Sequence, residues 1–353
     1  MLRPLALVAL AVSLVESARP GASSPAASLD VSIQEWSLPE PDSRPHDPAV
    51  GPDGALWYTA QKTNRLGRLD PATGTIREFP LETADSGPHG LTADRAGNIW
   101  YTGNYAGLIG KLDPKTGAVA EFRMPDARAR DPHTPVFDRE GTLWFTVQGG
   151  NMVGRLDPST GKIELRQVPT ADAAPYGIAV DSKGVPYFCE FGTNKLGRID
   201  PRTLAITEYA LPAGARPRRL AVASDDAVYY TDFARGYLAR LDPATGKVEE
   251  WESPGGRDAR PYGIAITPDG MVWFSESGVQ PNTIVRFDPR SHRFARAAIP
   301  SGGGVVRNMA ATSDGRLYLA CSGVNKVGVV KPISRRRLPR GPPSAARGHR
   351  PTR

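Results

Sequence analysis

The sequence is poor in cysteine and has no long hydrophobic run. Of its 353 residues only Cys189 and Cys321 are cysteines, and one pair at most cannot hold a fold together as a disulfide framework does. The apolar stretch 5–15 is too short to span a bilayer. No phosphate-binding loop, zinc-ligand spacing or Ser-His-Asp arrangement is visible in the sequence. We therefore expect no transmembrane segment and a fold that depends on core packing.

The net charge of the chain comes from its C-terminal end. The formal net charge is +7, from 44 Lys plus Arg and 37 Asp plus Glu. Residues 332–353 contain seven arginines and no acidic residue, so the rest of the chain carries as many bases as acids. Arginines mixed with Pro and Gly, without interleaved aromatics, are typical of a disordered appendage rather than a nucleic-acid-binding module. The sequence predicts a disordered basic tail over 332–353 and no nucleic-acid partner.

The N-terminal residues have the pattern of an export signal. Arg3 precedes the apolar stretch 5–15, and the small residues Ser17 and Ala18 follow it. A basic start, a short apolar segment and small residues at a cleavage point are typical of a secretory signal peptide. We expect a signal peptide over 1–17, a disordered Pro/Ala/Ser-rich linker over 18–29, and an exported protein, periplasmic or extracellular.

Glycine and proline, in contrast, are abundant, and one aromatic position repeats. The 37 Gly and 34 Pro indicate a chain dense in turns, without long helices. An aromatic residue inside a short apolar run recurs every 42–45 residues, at Trp57, Trp100, Trp144, Tyr187, Tyr229, Trp273 and Tyr318. Seven units of this period indicate a β-propeller, with the aromatics as core between its blades.

Each repeat has the pattern of four short strands. In the first, an apolar strand, the turn 52–54 and the aromatic strand 56–59 are followed by the strand 66–69, the turn 70–74 and the strand 75–80. The last repeat lacks a fourth strand, and residues 33–38 match the fourth-strand pattern. We predict an all-β fold, a seven-bladed β-propeller over residues 30–331 with four antiparallel strands per blade, in which the N-terminal strand closes the last blade.

Three of the five histidines share one repeat position. His46, His89 and His133 each follow a proline at the start of an innermost strand. The other repeats have, at this position, Tyr176, Arg218, Tyr262 and Arg307. Because the innermost strands of a propeller border its central channel, these side chains are predicted to form a polar ring that binds a small molecule.

A second repeat position, fourteen residues after the first, carries acids in three consecutive repeats. Glu190, Asp232 and Glu276 end the predicted second strands of repeats four to six, and we expect them to face the funnel beside the ring. Imidazoles and carboxylates across a channel suit proton transfer or a divalent cation. The structural alternative is a solvated rim in which the arginines pair with these acids.

The repeats resemble the virginiamycin B lyase (streptogramin lyase) family. The similarity lies in units such as P-H-G-L at 88–91 with I-W-Y-T at 99–102, and in N-K-L-G-R-I-D-P at 194–201, and it covers residues 33–331. The resemblance implies a seven-bladed propeller that opens a cyclic depsipeptide at its ester by elimination. It also implies a histidine base and a magnesium ion at the site.

The family's catalytic set comprises a histidine in each of the last two blades, an acid two residues before the second histidine, and a final Glu. In register, this sequence has Tyr262, Arg307, Val305 and Cys321 there. A rotated match places three members of the set in blades 2 and 3, as His89, His133 and Asp131, while the fourth becomes Val147 and the nearest acid is Glu190. The resemblance thus implies His133 as base, His89 as its support, and Asp131 with Glu190 as ligands of a divalent metal, magnesium.

Three functions stay open on the sequence. The first is an exported, monomeric, metal-assisted lyase acting on a ring ester or related small molecule in the funnel. The second is a non-catalytic propeller that binds a ligand or protein, and the third a lactonase-type hydrolase, disfavoured because the similar propellers of that type have six blades. The predicted substrate-binding residues are His46, Tyr176, Arg218, Tyr262, Arg307, Asp232 and Glu276.

Overall fold

A computed structural model describes residues 26–333, and the strands in this range form seven separate sheets. The predicted signal peptide, most of the predicted linker and the tail from residue 334 onward lie outside the described residues. Within residues 26–333 the single helix is the 3-10 helix Arg257–Ala259, and no helix is long and apolar enough to cross a membrane.

The strands follow the repeats in chain order. Before blade 1 lie β1 (Ala27–Ser28) and β2 (Val31–Ser37). Blade 1 contains β3 (Pro45–Val50), β4 (Leu56–Ala60), β5 (Arg65–Leu69) and β6 (Ile76–Pro80). Blade 2 contains β7 (Pro88–Ala93), β8 (Ile99–Gly103), β9 (Leu108–Leu112) and β10 (Val119–Arg123). Blade 3 contains β11 (Pro132–Phe137), β12 (Leu143–Val147), β13 (Met152–Leu156) and β14 (Ile163–Gln167).

The remaining blades repeat this arrangement. Blade 4 contains β15 (Pro175–Val180), β16 (Pro186–Glu190), β17 (Lys195–Ile199) and β18 (Ile206–Ala210). Blade 5 contains β19 (Pro217–Val222), β20 (Val228–Asp232), β21 (Tyr237–Leu241) and β22 (Val248–Glu252). Blade 6 contains β23 (Pro261–Ile266), β24 (Val272–Glu276), β25 (Thr283–Asp288) and β26 (Arg293–Ala298). Blade 7 contains β27 (Val306–Ala311), β28 (Leu317–Cys321) and β29 (Lys326–Pro332).

The N-terminal strand closes the last blade, which confirms the predicted topology. β2 pairs antiparallel with β29 from Val31 opposite Pro332 to Ser37 opposite Lys326. The preceding β1 runs parallel to β26 of blade 6, and Leu29 after it is buried. The prediction of a disordered linker as far as residue 29 is therefore wrong at its end, because the last residues of that stretch extend a sheet.

The repeated aromatics form the core between the blades, as expected. The side chains of Trp57, Trp100, Trp144 and Trp273 are at most 1% exposed. In each of blades 1–4 the third strand has a glycine next to an aromatic ring of the second strand, as at Gly67 beneath Tyr58. A Cβ atom at that position would overlap the ring. The two cysteines are separate buried thiols, and burial raises the pKa of both.

Hydroxyl groups near the ends of second strands join neighbouring blades and position the ring. The hydroxyl of Thr102 accepts the N–H of Gly90 in its own blade at 2.8 Å and donates to the His133 carbonyl of the next blade at 2.8 Å. Equivalent donors to the next blade are Thr59, Thr146, Thr231 and Ser275. These bonds hold the start of an innermost strand, and with it the side chain that borders the channel.

Candidate functional site

The predicted ring is present at one end of the central channel. The imidazole of His89 lies between those of His46 and His133, with ring centroids 3.6 and 3.9 Å away. Tyr176 continues the series 3.8 Å from His133. Six of the seven ring residues line a funnel of about 300 Å³: the three histidines, Tyr176, Arg218 and Arg307.

Tyr262 is the exception among the predicted ring residues. It is 1% exposed and lies behind the wall, where its hydroxyl hydrogen-bonds to that of Tyr176. The prediction that all seven side chains line the funnel is wrong for this residue. Its ring instead supports the wall, since the guanidinium of Arg218 lies 3.8 Å from its centroid.

The three imidazoles are held in their neutral form. His46, His89 and His133 are only 2–5% exposed. Burial is the largest cause that lowers the pKa of each well below its usual value of 6.5, and nearby guanidinium groups lower it further. Neutral imidazoles at neutral pH can each offer one nitrogen lone pair to a ligand or a proton.

A buried carboxylate orients one of these imidazoles. Asp47 Oδ1 lies 2.9 Å from His46 Nδ1. Because a carboxylate only accepts hydrogen bonds, Nδ1 carries the proton and the lone pair is on Nε2. The corresponding nitrogen of His133 faces the Thr134 hydroxyl at 2.9 Å, and that of His89 is buried without a partner among residues 26–333. Only His46, within that range, therefore has its tautomer set by a carboxylate.

Asp47 belongs to a charged layer below the ring that the sequence analysis missed. Arg219 Nη2 donates to both Asp47 oxygens at 2.8 and 3.1 Å, and Nη1 donates to Thr134 Oγ1 at 3.1 Å. Asn308 donates to Asp47 Oδ2 at 3.0 Å. These bonds join blades 1, 3, 5 and 7 across the channel. The sequence does contain a sign of this layer. Directly after the ring position, two repeats have the charged residues Asp47 and Arg219, whereas the other repeats have Gly, Thr or Asn.

The three acids predicted to face the funnel do not line it. All are 0% exposed, and each is held by a nearby polar side chain: Glu190 by Thr193, Asp232 by Arg235, and Glu276 by Ser253. They end second strands, whose side chains alternate between sheet faces and pack between blades. The prediction that these residues face the funnel is therefore wrong. Burial raises the pKa of Glu190 to about 7.

The residue that directly follows a second strand lines the funnel instead. Gln61, Asn104, Gln148 and Phe191 follow the second strands of blades 1–4 and all contribute to its wall. A shift of one residue moves a side chain to the other face of a strand, so the repeat position fifteen residues after the ring, rather than fourteen, meets the ligand. Arg44 and Tyr105, which the sequence analysis also missed, complete the lining from loops.

The predicted metal ligands are not brought together. Asp131 lines the funnel and accepts a hydrogen bond from Asn104, whereas Glu190 lies outside it. Within residues 26–333 one group has metal-ligand spacing, the atoms of His46, Asp47 and His89 within 4.8 Å of one another. Magnesium prefers six oxygen ligands, but this set offers two imidazoles and a carboxylate already bonded to Arg219. This group therefore does not fit a magnesium ion.

Comparisons with known proteins agree with this architecture. Virginiamycin B lyase from Staphylococcus aureus is 26% identical, with a TM-score of 0.79 over 86% of this chain and 100% of that one. A streptogramin B lyase is 28% identical, with a TM-score of 0.79 over 86% of this chain and 98% of that one. Hydrazine synthase from Kuenenia stuttgartiensis, 15% identical with a TM-score of 0.70 over 83% of this chain and 97% of that one, shares the fold.

One of these structures holds a ligand. A catalytically inactive variant of the Staphylococcus aureus lyase, with a histidine replaced by alanine, is seen with quinupristin and is 26% identical, with a TM-score of 0.77 over 86% of this chain and 100% of that one. No curated protein sequence matches. The sequence model of the virginiamycin B lyase family matches residues 26–254 and 205–340, which together span most of the chain. The protein is therefore a member of the virginiamycin B lyase family.

Proposed function

We propose that the protein is a carbon–oxygen lyase that opens a ring ester or related small molecule, bound in the funnel, by elimination. The observation that carries this proposal is the pair formed by His46 and Asp47, which leaves His46 Nε2 as a proton acceptor. His46 lines the same funnel as Arg44 and Arg307. A base and two cations in one concave site are what an elimination that releases a carboxylate requires.

The chemistry uses the chain's own side chains. His46 Nε2 takes a proton from the carbon next to a carbonyl group, and the electron pair of that C–H bond forms a carbon–carbon double bond. The ester C–O bond then breaks, and its electron pair leaves on the carboxylate oxygen. Arg307 and Arg44, whose charges help to lower the pKa of His46, bind the developing carboxylate by charge-assisted hydrogen bonds.

In this proposal the base lies two blades away from the position that the family resemblance implies, in blade 1 rather than blade 3. His46 replaces His133 as base, because its partner is a carboxylate while that of His133 is a hydroxyl. His89 and His133 continue the wall as neutral imidazoles that can position the substrate. Asp131 and Asn104 lie at the mouth of the funnel, where they bond to each other. No metal is needed for the proton transfer proposed here.

The shape of the site bears on substrate size. The funnel of about 300 Å³ is at the lower end of pockets that hold small molecules. A second cavity of about 550 Å³ shares Asn104, Tyr105 and Asp131 with it and extends outward along blades 2 and 3. We propose that the reacting ester occupies the funnel and that the rest of a larger ring lies in this second cavity.

Mass spectrometry on a panel of cyclic depsipeptides and lactones tests the reaction class. Elimination leaves the mass of an opened ring unchanged, hydrolysis adds one water, and a binding protein leaves the substrate intact. His46→Ala should lower turnover by roughly 10²–10⁴-fold, while His292→Ala, on the outer surface of blade 6, should not. Chelation should leave turnover unchanged. Full activity in His46→Ala with loss in His133→Ala would assign the base to His133 instead.

We also propose that the protein is exported to the periplasm or outside the cell. The support is the sequence pattern of residues 1–18, which lie outside the described residues. N-terminal sequencing of the full-length gene product, recovered from each cell fraction, should find a mature chain that begins at Ala18 outside the cytoplasm. An uncleaved chain confined to the cytoplasm would contradict this.

A further inference from the structure

The funnel wall opposite His46 is built around the guanidinium group of Arg218. Arg218 Cζ lies over four aromatic rings, at 3.8 Å from the centroid of Tyr262, 4.3 Å from Phe233, 4.8 Å from Phe191 and 5.2 Å from Tyr176. The side chain lines the funnel together with Tyr176 and Phe191. Arg218 and the rings of Tyr176 and Phe191 therefore form one continuous surface that faces a ligand.

No residue that the structure describes neutralises the charge of Arg218. None of residues 26–333 forms an ion pair with it or accepts a hydrogen bond from its guanidinium, and its Nε is buried without a partner. The neighbouring Arg219 shows the contrast, since Asp47 lies 2.8 Å from its Nη2. An arginine that serves only the packing of the channel would be expected to have such a partner.

The rest of the funnel does not supply the missing anion. Among the described residues, its lining includes two further cations, Arg44 and Arg307, and a single carboxylate, Asp131. Asp131 is bonded to Asn104 and burial raises its pKa. The three imidazoles are neutral. The funnel thus has an excess of positive charge in a concave site, which attracts an anionic ligand.

Aromatic rings contact the face of a guanidinium but leave its N–H groups, which lie in its plane, without acceptors. A carboxylate matches that fork with two parallel hydrogen bonds. The flanking rings of Tyr176 and Phe191 favour a planar apolar group next to the carboxylate. We propose that the funnel recognises an aromatic carboxylate through Arg218. Binding of such a carboxylate does not depend on the proposed lyase activity. Only its conversion as a substrate would rest on that proposed function.

Isothermal titration calorimetry with benzoate tests the assignment without any turnover. We expect saturable binding of benzoate to the full chain, and at least tenfold weaker binding of the uncharged benzamide. Arg218→Gln should weaken benzoate binding at least tenfold. Arg240→Gln, the matched change in the same blade on an arginine paired with Asp225, should leave it unchanged. Acetate should bind more weakly than benzoate, because it lacks the ring.

One further variant keeps the test decisive. If Arg218→Gln does not fold, as judged by thermal melting, Arg218→Lys retains the charge but loses the fork, and intermediate binding is expected. Benzoate binding is measured without turnover, so failure of the lyase proposal would leave this result intact. Equal binding of benzoate and benzamide, absence of saturable benzoate binding, or unchanged binding in Arg218→Gln would overturn the assignment.

Discussion

Replacing Arg219 by methionine should destabilise the whole propeller and disturb its candidate base. The substitution keeps most of the side-chain length but removes every bond from the guanidinium to Asp47 and Thr134. Asp47 is then left buried with His46 and Asn308 as its side-chain partners. Breaking one side of a buried ion pair costs about 3–5 kcal/mol, because an uncompensated charge remains in the interior.

This cost translates into a measurable change in melting temperature. The unfolding entropy of a propeller of about 310 residues is about 0.65 kcal/mol per kelvin, at about 2.1 cal/mol per kelvin for each residue. A loss of 3–5 kcal/mol should therefore lower the Tm by about 5–8 °C. Differential scanning calorimetry measures this shift directly. A fall of less than about 2 °C would refute the view that the pair is a buried, structural link.

A double-mutant cycle with Asp47→Asn separates the interaction energy of the pair from the effects of the two single substitutions. Both single variants should be destabilised. The double variant should lose less free energy of unfolding than the two single variants lose together, with a coupling energy of about 0.5–3 kcal/mol. Arg240→Met is the matched control, since its partly exposed pair with Asp225 should be worth at most about 1 kcal/mol. Loss of Arg219 should also raise the pKa of His46, because that guanidinium is one of the charges that lower it.

Two other predictions concern closure and pH. Deletion of residues 30–40 removes β2 and exposes the edge of β29, so calorimetry should find little folded protein, and an unchanged Tm would disprove the topology. Burial holds the pKa of His46, His89 and His133 well below 6.5, so on acidification the unfolded chain takes up protons that the folded ring does not. The free energy of unfolding should therefore be highest above pH 6.5 and fall below it, as measured by urea denaturation, with a shallower fall in His89→Gln.

The architecture could be predicted because the patterns that encode it are local in the sequence. The aromatic period, the turn residues and the alternation of each strand act over a few neighbouring positions. The ring closure follows because residues 33–38, which precede the first repeat, have the fourth-strand pattern that the last blade lacks. The same periodicity identified the ring position of His46, His89 and His133. Repeats place equivalent residues at equivalent points of the fold, so a shared position predicts a shared location.

The contacts that define the site could not be predicted in this way. Asp47 and Arg219 are 172 residues apart in the chain, and no local pattern pairs them. The repeat position of Glu190 differs by one residue from that of Phe191, yet only the second reaches the funnel, because strand side chains alternate in direction. Whether a ring member lines the wall or supports it, as Tyr262 does, depends on its neighbours in space.

By itself, then, the sequence determined the seven blades, their closure and the ring of polar residues, because hydrophobic periodicity and turn chemistry are encoded over short distances. Only the tertiary structure decided which charges are neutralised. It pairs Arg219 with Asp47, leaves Arg218 among aromatic rings, and removes the three acids from the funnel. Electrostatics in a closed ring depends on distances across the channel, and those distances exist only after the blades have met.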